Sequence, residues 1–391
     1  MPLLKLFNMF KIVLPLTLLT GCGFTMTKVE INQQTFVFAM YVNKGQQDDT
    51  VEVTISAPLP NRLTSGSQGG KQGGGAPYAM VTKTSSTVQD ALHLIQRDLS
   101  RRLDFSHSKV VVVGKSYAES GLEELTDWLQ REPTTILSTY LMVAPGDAKK
   151  VAELTPVFEQ MPSEVLTRFA DQHNMITTNL KDYLYAESAN QGYALTYLAS
   201  GMKPTIADQE KLKPWTGIQG TALFHHHKLV ATLPMKESLA VSWAVNEVKG
   251  PLYTVSWGKG EKASVFLITS SSKKSVRMVS GHPVFTVKLR GTGDVIYKQK
   301  QKPTDTLQVK ELIERELNDQ IAGQLTKALH TSQRVGADIL QLGMLVDWNY
   351  PDHWQKVHAN WPDYYKNEVE IQVVTDIKIR NFGSILKMNP K

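Results

Sequence analysis

A single cysteine in 391 residues removes internal disulfides from the forces that can hold this chain together, because a bridge needs two thiols. No stretch after residue 22 holds eighteen consecutive apolar residues, so none there reads as a membrane-spanning helix. His-Glu-x-x-His is absent, and so is Gly-x-Ser-x-Gly, the spacings that build a zinc helix or a nucleophile elbow. Charge of either sign is scarce in excess: the formal net charge is +6, too small and too dispersed for a nucleic-acid-binding face. No nucleic acid is therefore expected as a partner. A disorder composition is lacking too, since 41% of residues are hydrophobic and 20% charged. The length predicts two to three domains, held by core packing alone.

What is present begins at the N-terminus. Lys5 and Lys11 precede an apolar run from Ile12 to Leu19, too short to span a bilayer, and Leu19, Thr20, Gly21 and Cys22 close it. Small residues directly before a cysteine turn a secretory signal into a bacterial lipoprotein signal. The pattern resembles the lipobox, which implies that Cys22 takes a diacylglyceryl group and becomes the first residue of the mature chain. Residues 1–21 are then a signal peptide, and the body works outside the cytoplasm, tethered to a membrane. Its removal leaves a net charge of about +4, read as an ordinary solvated surface.

Segments 35–42 and 50–56 are rich in β-branched and aromatic residues around a polar turn, and read as a hairpin. The glycine-rich stretch 65–75 reads as a mobile insertion. Ala76 and Pro77 follow it where a phosphate loop needs a helix N-terminus. Thr87 and Asp90 predict a cap for a helix carrying Val88, Ala91, Leu92, Ile95, Leu99 and Leu103 on one face. A strand at 109–113, a helix through Leu122, Leu125, Trp128 and Leu129, and a strand at 136–143 alternate as a mixed α/β sheet does. Helical patterns follow at 163–174 and 180–188, then an apolar segment at 193–199. The polar stretch 201–214, with Pro204 and Pro214, reads as a domain boundary.

The second half reads as α+β. Segments 220–224 and 229–233 form a hairpin around His225 to Lys228, and a helix carries Leu239, Trp243 and Val248. Strands at 265–269, 276–280, 284–289 and 295–297 predict an antiparallel meander. Asp305 and Gln308 cap a long helix whose Val309, Ile313, Leu317, Ile321, Leu325 and Leu329 recur every four residues. In the last strand Val369, Ile371, Val373, Thr375, Ile377 and Ile379 alternate with polar residues, and only Val374 interrupts the polar side. The fold class is thus α+β and multi-domain: a mixed α/β N-terminal half, then a meander plus long helix. The units are 22–200, a small middle domain at 215–262, and 263–388, the last two forming one C-terminal region.

Chemistry-bearing constellations are few. His225, His226 and His227 are consecutive on a hairpin and point to alternate faces, so at most two share an ion. With no cysteine or nearby carboxylate to complete a zinc set, they read as an exposed polar turn. Gly114, Lys115 and Ser116 imitate a P-loop, but Lys109 stands where its first glycine is required. The aromatics Trp348, Tyr350, Trp354, Trp361, Tyr364 and Tyr365 read as packing between the long helix and the last strand rather than a carbohydrate platform. Metal, cofactor and catalytic residues are expected to be none.

Several stretches together resemble the C subunits of nutrient germinant receptors of spore-forming bacteria, the Ger(x)C lipoprotein family. They are 104–114 (Asp-Phe-Ser-His-Ser-Lys-Val-Val-Val-Val-Gly), 121–129 (Gly-Leu-Glu-Glu-Leu-Thr-Asp-Trp-Leu) and 139–148. In the second half they are 220–224, 228–230, 236–240, Tyr350 with Trp354, and Asn360 with Trp361. Family members carry a Trp-Asp pair after the lipid cysteine; here residues 23–30 replace it, and only Val29, Glu30 and Ile31 look related. The resemblance implies a non-enzymatic lipoprotein of three α+β domains on the outer face of the inner spore membrane. Its partners would be an integral-membrane A subunit and a transporter-like B subunit that together sense nutrients and trigger germination. A substrate-binding lipoprotein of an uptake transporter is the alternative, and it requires two similar lobes. Partner-facing surfaces are expected at Leu122 to Leu129, at Trp348 to Trp361, or on the outward face of the last strand.

Overall fold

Four consecutive valines, Val110 to Val113, have no polar side to present to water, so a strand built from them must be covered on both faces. That strand, β6 (Val110–Gly114), lies inside an eight-stranded sheet. The computed structural model describes residues 29–60, 76–205, 211–258, 260–299 and 306–382. The signal 1–21, Cys22, the glycine-rich stretch 65–75 and the capping Asp305 lie outside the described residues.

Strands β2 (Ala39–Lys44) and β7 (Tyr140–Ala144) flank β6 in parallel, and β8 (Tyr193–Thr205) extends the parallel run. Antiparallel strands complete both ends: β3 (Val51–Pro58) and β4 (Tyr78–Ser85) beyond β2, β9 (Lys211–His225) and β10 (Lys228–Pro234) beyond β8. A short parallel pair, β1 (Gln34–Phe36) and β5 (Arg102–Asp104), stands beside this sheet. Neighbouring residues of a strand face opposite ways, and the chain uses both faces. Met40, Val42, Val111, Val113, Leu141 and Val143 pack under α1 (Val88–Arg97), α2 (Lys115–Ser120), α3 (Glu123–Arg131) and α6 (Leu180–Ser188). Ala39, Tyr41, Val110, Val112, Met142 and Ala144 pack under α4 (Ala148–Ala152) and α5 (Pro162–Asp171). Each such valine contributes roughly 1.5–3 kcal/mol by leaving water. Helix α1 starts where the cap pattern predicts, with the Thr87 hydroxyl accepting the Asp90 N–H at 3.0 Å.

The second sheet has four strands in the order β11 (Leu252–Trp257), β12 (Glu261–Val279), β13 (His282–Lys298), β14 (Glu370–Phe382). The first three are antiparallel neighbours, whereas β14 runs parallel to β13. A parallel neighbour is not reachable by a tight turn. The connection is α8 (Thr306–Arg334), α9 (Leu342–Asn349), α10 (Pro351–Val357) and α11 (Trp361–Asn367). Val309, Ile313, Leu317, Ile321, Leu325 and Leu329 of α8 are all buried against this sheet's inner face, as their spacing predicts. Helix α7 (Met235–Ala244) lies between the two sheets and buries Trp243 completely. The α+β class, with its mixed first sheet and long helix, describes the molecule.

Three expectations change in detail. The four short strands of the meander are two long ones, β12 and β13, joined at Ser280 and Gly281, which both have positive φ. The polar run from Thr269 to Lys274 reads as a break, but backbone pairing continues through it. Trp243 Nε1 donates to the Ser271 carbonyl, and Asn246 bonds the Ser272 N–H. Within the stretch read as a boundary, residues 201–205 pair with 211–215 as arms of β8 and β9, with Gly201 opposite Trp215 and Pro204 opposite Leu212. Among the described residues β7 pairs with β8 only at Thr196 and Tyr197, which leaves the arm an edge that tolerates Pro204. Residues 215–262 show no sheet of their own among the described residues: β9 and β10 finish the first sheet and β11 opens the second.

Strand β14 is an edge among the described residues, and a bare edge invites pairing with another chain. Helix α8 blocks this one with side chains. Asn318 Nδ2 donates to the Ile377 carbonyl and its Oδ1 accepts the Ile377 N–H, both at 3.0 Å. Glu314 Oε1 accepts the Ile379 N–H at 2.7 Å. Asn318→Leu should therefore lower the unfolding free energy by about 1–3 kcal/mol, because two part-buried backbone groups lose their partners. Urea unfolding measures this, and light scattering should show concentration-dependent association that the unmodified chain lacks.

Candidate functional site

The hairpin turn at His225 is more than an exposed polar loop. His226 and His227 both have positive φ, at 46° and 61°, the geometry of a two-residue hairpin turn normally filled by Asn and Gly. Its contacts hold it there. The His227 N–H donates to Glu187 Oε1 at 2.9 Å, its Nε2 lies 3.4 Å from Glu187 Oε2, and its Nδ1 hydrogen-bonds the Tyr183 hydroxyl. The His227 carbonyl accepts the Leu122 N–H at 2.9 Å. The turn thus joins α6 to the start of α3. His225 is half-buried and pushed down to about 4 by burial and by His226, whose ring lies tilted with its centroid 3.9 Å away, so it is neutral at pH 7. Among the described residues no three His, Cys, Asp or Glu side chains come together as a metal set.

Two of the three expected partner surfaces are mostly internal. Leu122, Leu125, Trp128 and Leu129 are all buried, with Trp128 edge-on to Phe105 and its Nε1 donating to Gln89. Trp361 and Tyr365 are fully buried, Trp354 packs edge-on against Trp361, and Trp348 alone of this run's tryptophans is largely exposed, at 68%. The aromatic run is therefore packing, as its spacing suggests. The outward face of β14 is open: Glu370, Gln372, Val374, Asp376, Lys378 and Arg380 are exposed. Arg380 clasps Asp294 of β13 through two nitrogens, at 3.1 and 2.8 Å.

The feature that sequence reading missed lies where the two sheets' layers meet. Asp338 is fully buried, and its Oδ2 accepts the Gly343 N–H at 2.9 Å and the Trp361 Nε1–H at 3.0 Å. Burial holds its carboxyl above the usual range, against the pull of those bonds and of Lys274. Lys274 reaches in from the polar half of β12 and donates to the Leu340 carbonyl at 2.9 Å; burial pushes its ammonium down. On the other side Gly192, just before β8, meets this segment backbone to backbone. A Cβ there would sit 2.5 Å from the Ala337 carbonyl carbon. Beside the knot is a cleft of about 290 Å³, walled by Thr177, Thr178, Tyr193, Glu247, Lys274 and Leu340. Glu247, raised by burial, accepts both the N–H (2.6 Å) and the hydroxyl (2.9 Å) of Thr177.

The cleft is small for a ligand site, and its charged groups already serve neighbouring backbone. Where a hydroxyl does meet a carboxylate, at Thr177 and Glu247, the same carboxylate oxygen also holds the Thr177 N–H, an arrangement that locks two layers together. The only sequence signal was one acid, Asp338, inside the apolar run from Val335 to Leu340.

The sign of a pH effect follows. The folded carboxyl of Asp338 is raised above its ordinary value of 3.8, so the folded state holds a proton the unfolded state has released. Its contribution is fully present below pH 3.8 and is lost as pH rises through the raised folded value. The stability of the unmodified chain relative to Asp338→Asn should fall across that window, measured by urea unfolding at a series of pH values; a rising difference would contradict the assignment. Asp338→Ala, which strands the Trp361 Nε1–H and the Gly343 N–H, should cost about 1–3 kcal/mol for each donor left without a partner.

Comparison with known proteins places this architecture. The spore germination protein N-terminal domain matches residues 27–200, and the spore germination B3/GerAC-like C-terminal domain matches 219–383. A putative spore germination protein of Bacillus subtilis strain 168, YfkR, is 25% identical over 97% of this chain and 98% of its own length. Spore germination protein KC of the same strain is 23% identical, covering 97% and 95%. Spore germination protein B3 is 24% identical, covering 95% and 96%. The crystal structure of the GerBC protein superposes with a TM-score of 0.57 at 16% identity, over 88% of this chain and 98% of that one, which shows a common fold. With both halves matched in order, the chain belongs to the GerAC/GerBC-like family of spore germination C subunits.

Proposed function

We propose that this protein is the lipid-anchored C subunit of a nutrient germinant receptor, a non-catalytic component that docks against its partners and supports the triggering of germination. The observation that carries the reading is the order of its parts. A lipobox ending at Cys22 stands directly before two germination-family regions that span nearly all of the remaining chain. Among the described residues no helix is long and apolar enough to cross a membrane, so attachment in this reading falls to Cys22. Two acyl chains on one diacylglyceryl group give stable anchoring where one chain gives only marginal binding. The body then sits on the outer face of the inner spore membrane, beside integral-membrane A and B subunits.

The surfaces left for those partners are the outward face of β14 and the exposed Trp348, since the apolar faces of α3 and α11 are occupied internally. A transporter's substrate-binding lipoprotein is less well supported, because such proteins pair two similar lobes. Here an eight-stranded mixed sheet is joined to a four-stranded one.

The test is Cys22→Ala in the sporulating cell, followed by mass analysis of the N-terminal peptide and by fractionation. Loss of processing and of the lipid label, with slower nutrient-triggered germination, is the expected result. A normally processed, fully membrane-retained Cys22→Ala protein would sink the anchor reading. Co-purification from spore inner membrane should recover integral-membrane partners, and Trp348→Ala should reduce that recovery without changing the unfolding midpoint.

A further inference from the structure

A groove opens where the described chain begins. Strands β1, β3 and β4 and the segment after α1 enclose about 1040 Å³, walled by Phe36, Ile55, Ala57, Leu59, Val81 and Leu99. The wall is apolar because β3 and β4 run to the end of the eight-stranded sheet, where among the described residues no further strand covers them. Ile31, on the rim, leaves 75% of its surface in water. An apolar residue that exposed, beside an apolar trough, marks a contact surface rather than scattered surface hydrophobicity.

Two observations select the occupant. The first is reach. Val29 is the first described residue, and Glu30, Ile31 and Asn32 form the rim. Cys22 precedes Val29 by seven residues, a span of at most about 25 Å of extended chain. A lipid on Cys22 therefore holds the groove within about one bilayer thickness of the head groups. The second is charge. Arg101 lies on the rim with Glu30, and Arg97 and Arg102 are exposed at the end of α1 and in the segment that follows it, where the one other exposed acid, Asp98, is paired with Lys83 at 2.6 Å. A basic margin around an apolar trough matches an anionic head group above a hydrocarbon tail.

We infer that this groove rests on the membrane and takes the acyl chain of an anionic phospholipid from the bilayer. The inference builds on the Cys22 anchor of the proposed function. It gives the protein a second, non-covalent lipid contact, which fixes how the body is turned on the membrane and so which faces its partners meet.

The test places a photoreactive benzoylphenylalanine at Leu59 in the groove, at Ile31 on the rim, and at Trp348 as a distant reference. The full chain is expressed with its own signal and irradiated in its membrane. Ile31 is already exposed, so its replacement leaves folding intact if the Leu59 variant does not fold. Expected is an adduct with the mass of an anionic phospholipid at Ile31 and Leu59, and little at Trp348. Arg101→Glu with Arg102→Glu should reduce the Ile31 adduct about fivefold. An adduct to a polypeptide, to the diacylglyceryl group of Cys22 itself, or to neutral and anionic lipids alike would overturn the inference. So would a yield at Ile31 no higher than at Trp348. The N-terminal peptide from the same sample separates the two readings. A lipidated Cys22 without groove adducts refutes the groove and leaves the anchor, whereas groove adducts with an unmodified Cys22 refute the anchor and leave the groove.

Discussion

A carboxyl group taken out of water must be met by donors, and Asp338 arranges the second half of the protein around that demand. Two bonds to its Oδ2 fix the start of α9, through Gly343, and the indole of Trp361 at the start of α11. Trp361 in turn packs with Trp354, Tyr364 and Tyr365, so the helices after α8 are positioned from one buried oxygen. Ser332 completes the lock from α8, sharing hydrogen bonds with the Ala337 carbonyl and the Tyr365 hydroxyl. Gly192 presses on the same segment from the first half, with no room for a side chain. The two halves are thereby registered through backbone contact, which leaves little freedom for one to slide on the other.

With a single cysteine and so no internal disulfide, cohesion rests on burial and on the management of sheet edges. The first sheet solves its core by covering a parallel centre on both faces, so the alternate valines of β6 each find a separate layer. The second sheet covers only one face. Its open face is stabilised by cross-strand polar pairs such as Arg380 with Asp294, and its free edge by the side chains of α8. The same helix supplies the buried stripe for the inner face and the hydrogen bonds for the edge, which explains why it runs for 29 residues.

These choices shape the protein's outer surface. In the proposed reading, a subunit held at a membrane needs one side for lipid and another for protein, and the two candidate surfaces lie in different halves of the chain. The apolar groove and its arginines lie at the chain's entry, while the charged ladder of β14 and Trp348 belong to the other half. Helix faces that look like docking stripes in sequence are spent on the interior.

The sequence by itself determined the elements whose period is local. The capped helix α1, the buried strand β6, the stripe of α8, the alternation in β14 and the hairpin at His225 are each readable within a few turns or residues, because side-chain direction repeats with the backbone. The lipobox pattern ending at Cys22, on which the proposed anchor rests, is likewise a purely local signal. Tertiary structure alone decided the rest. Whether the polar run at 269–274 ends a strand depended on Trp243 and Asn246 reaching its backbone; whether 201–205 and 211–214 are linker depended on their pairing with each other. Asp338 looked like one acid in an apolar run until Trp361 and Lys274 arrived from 23 residues after it and 64 before it. The physical reason is common to all three. A polar or charged group reveals its role only through the partner that satisfies it, and that partner lies far along the chain.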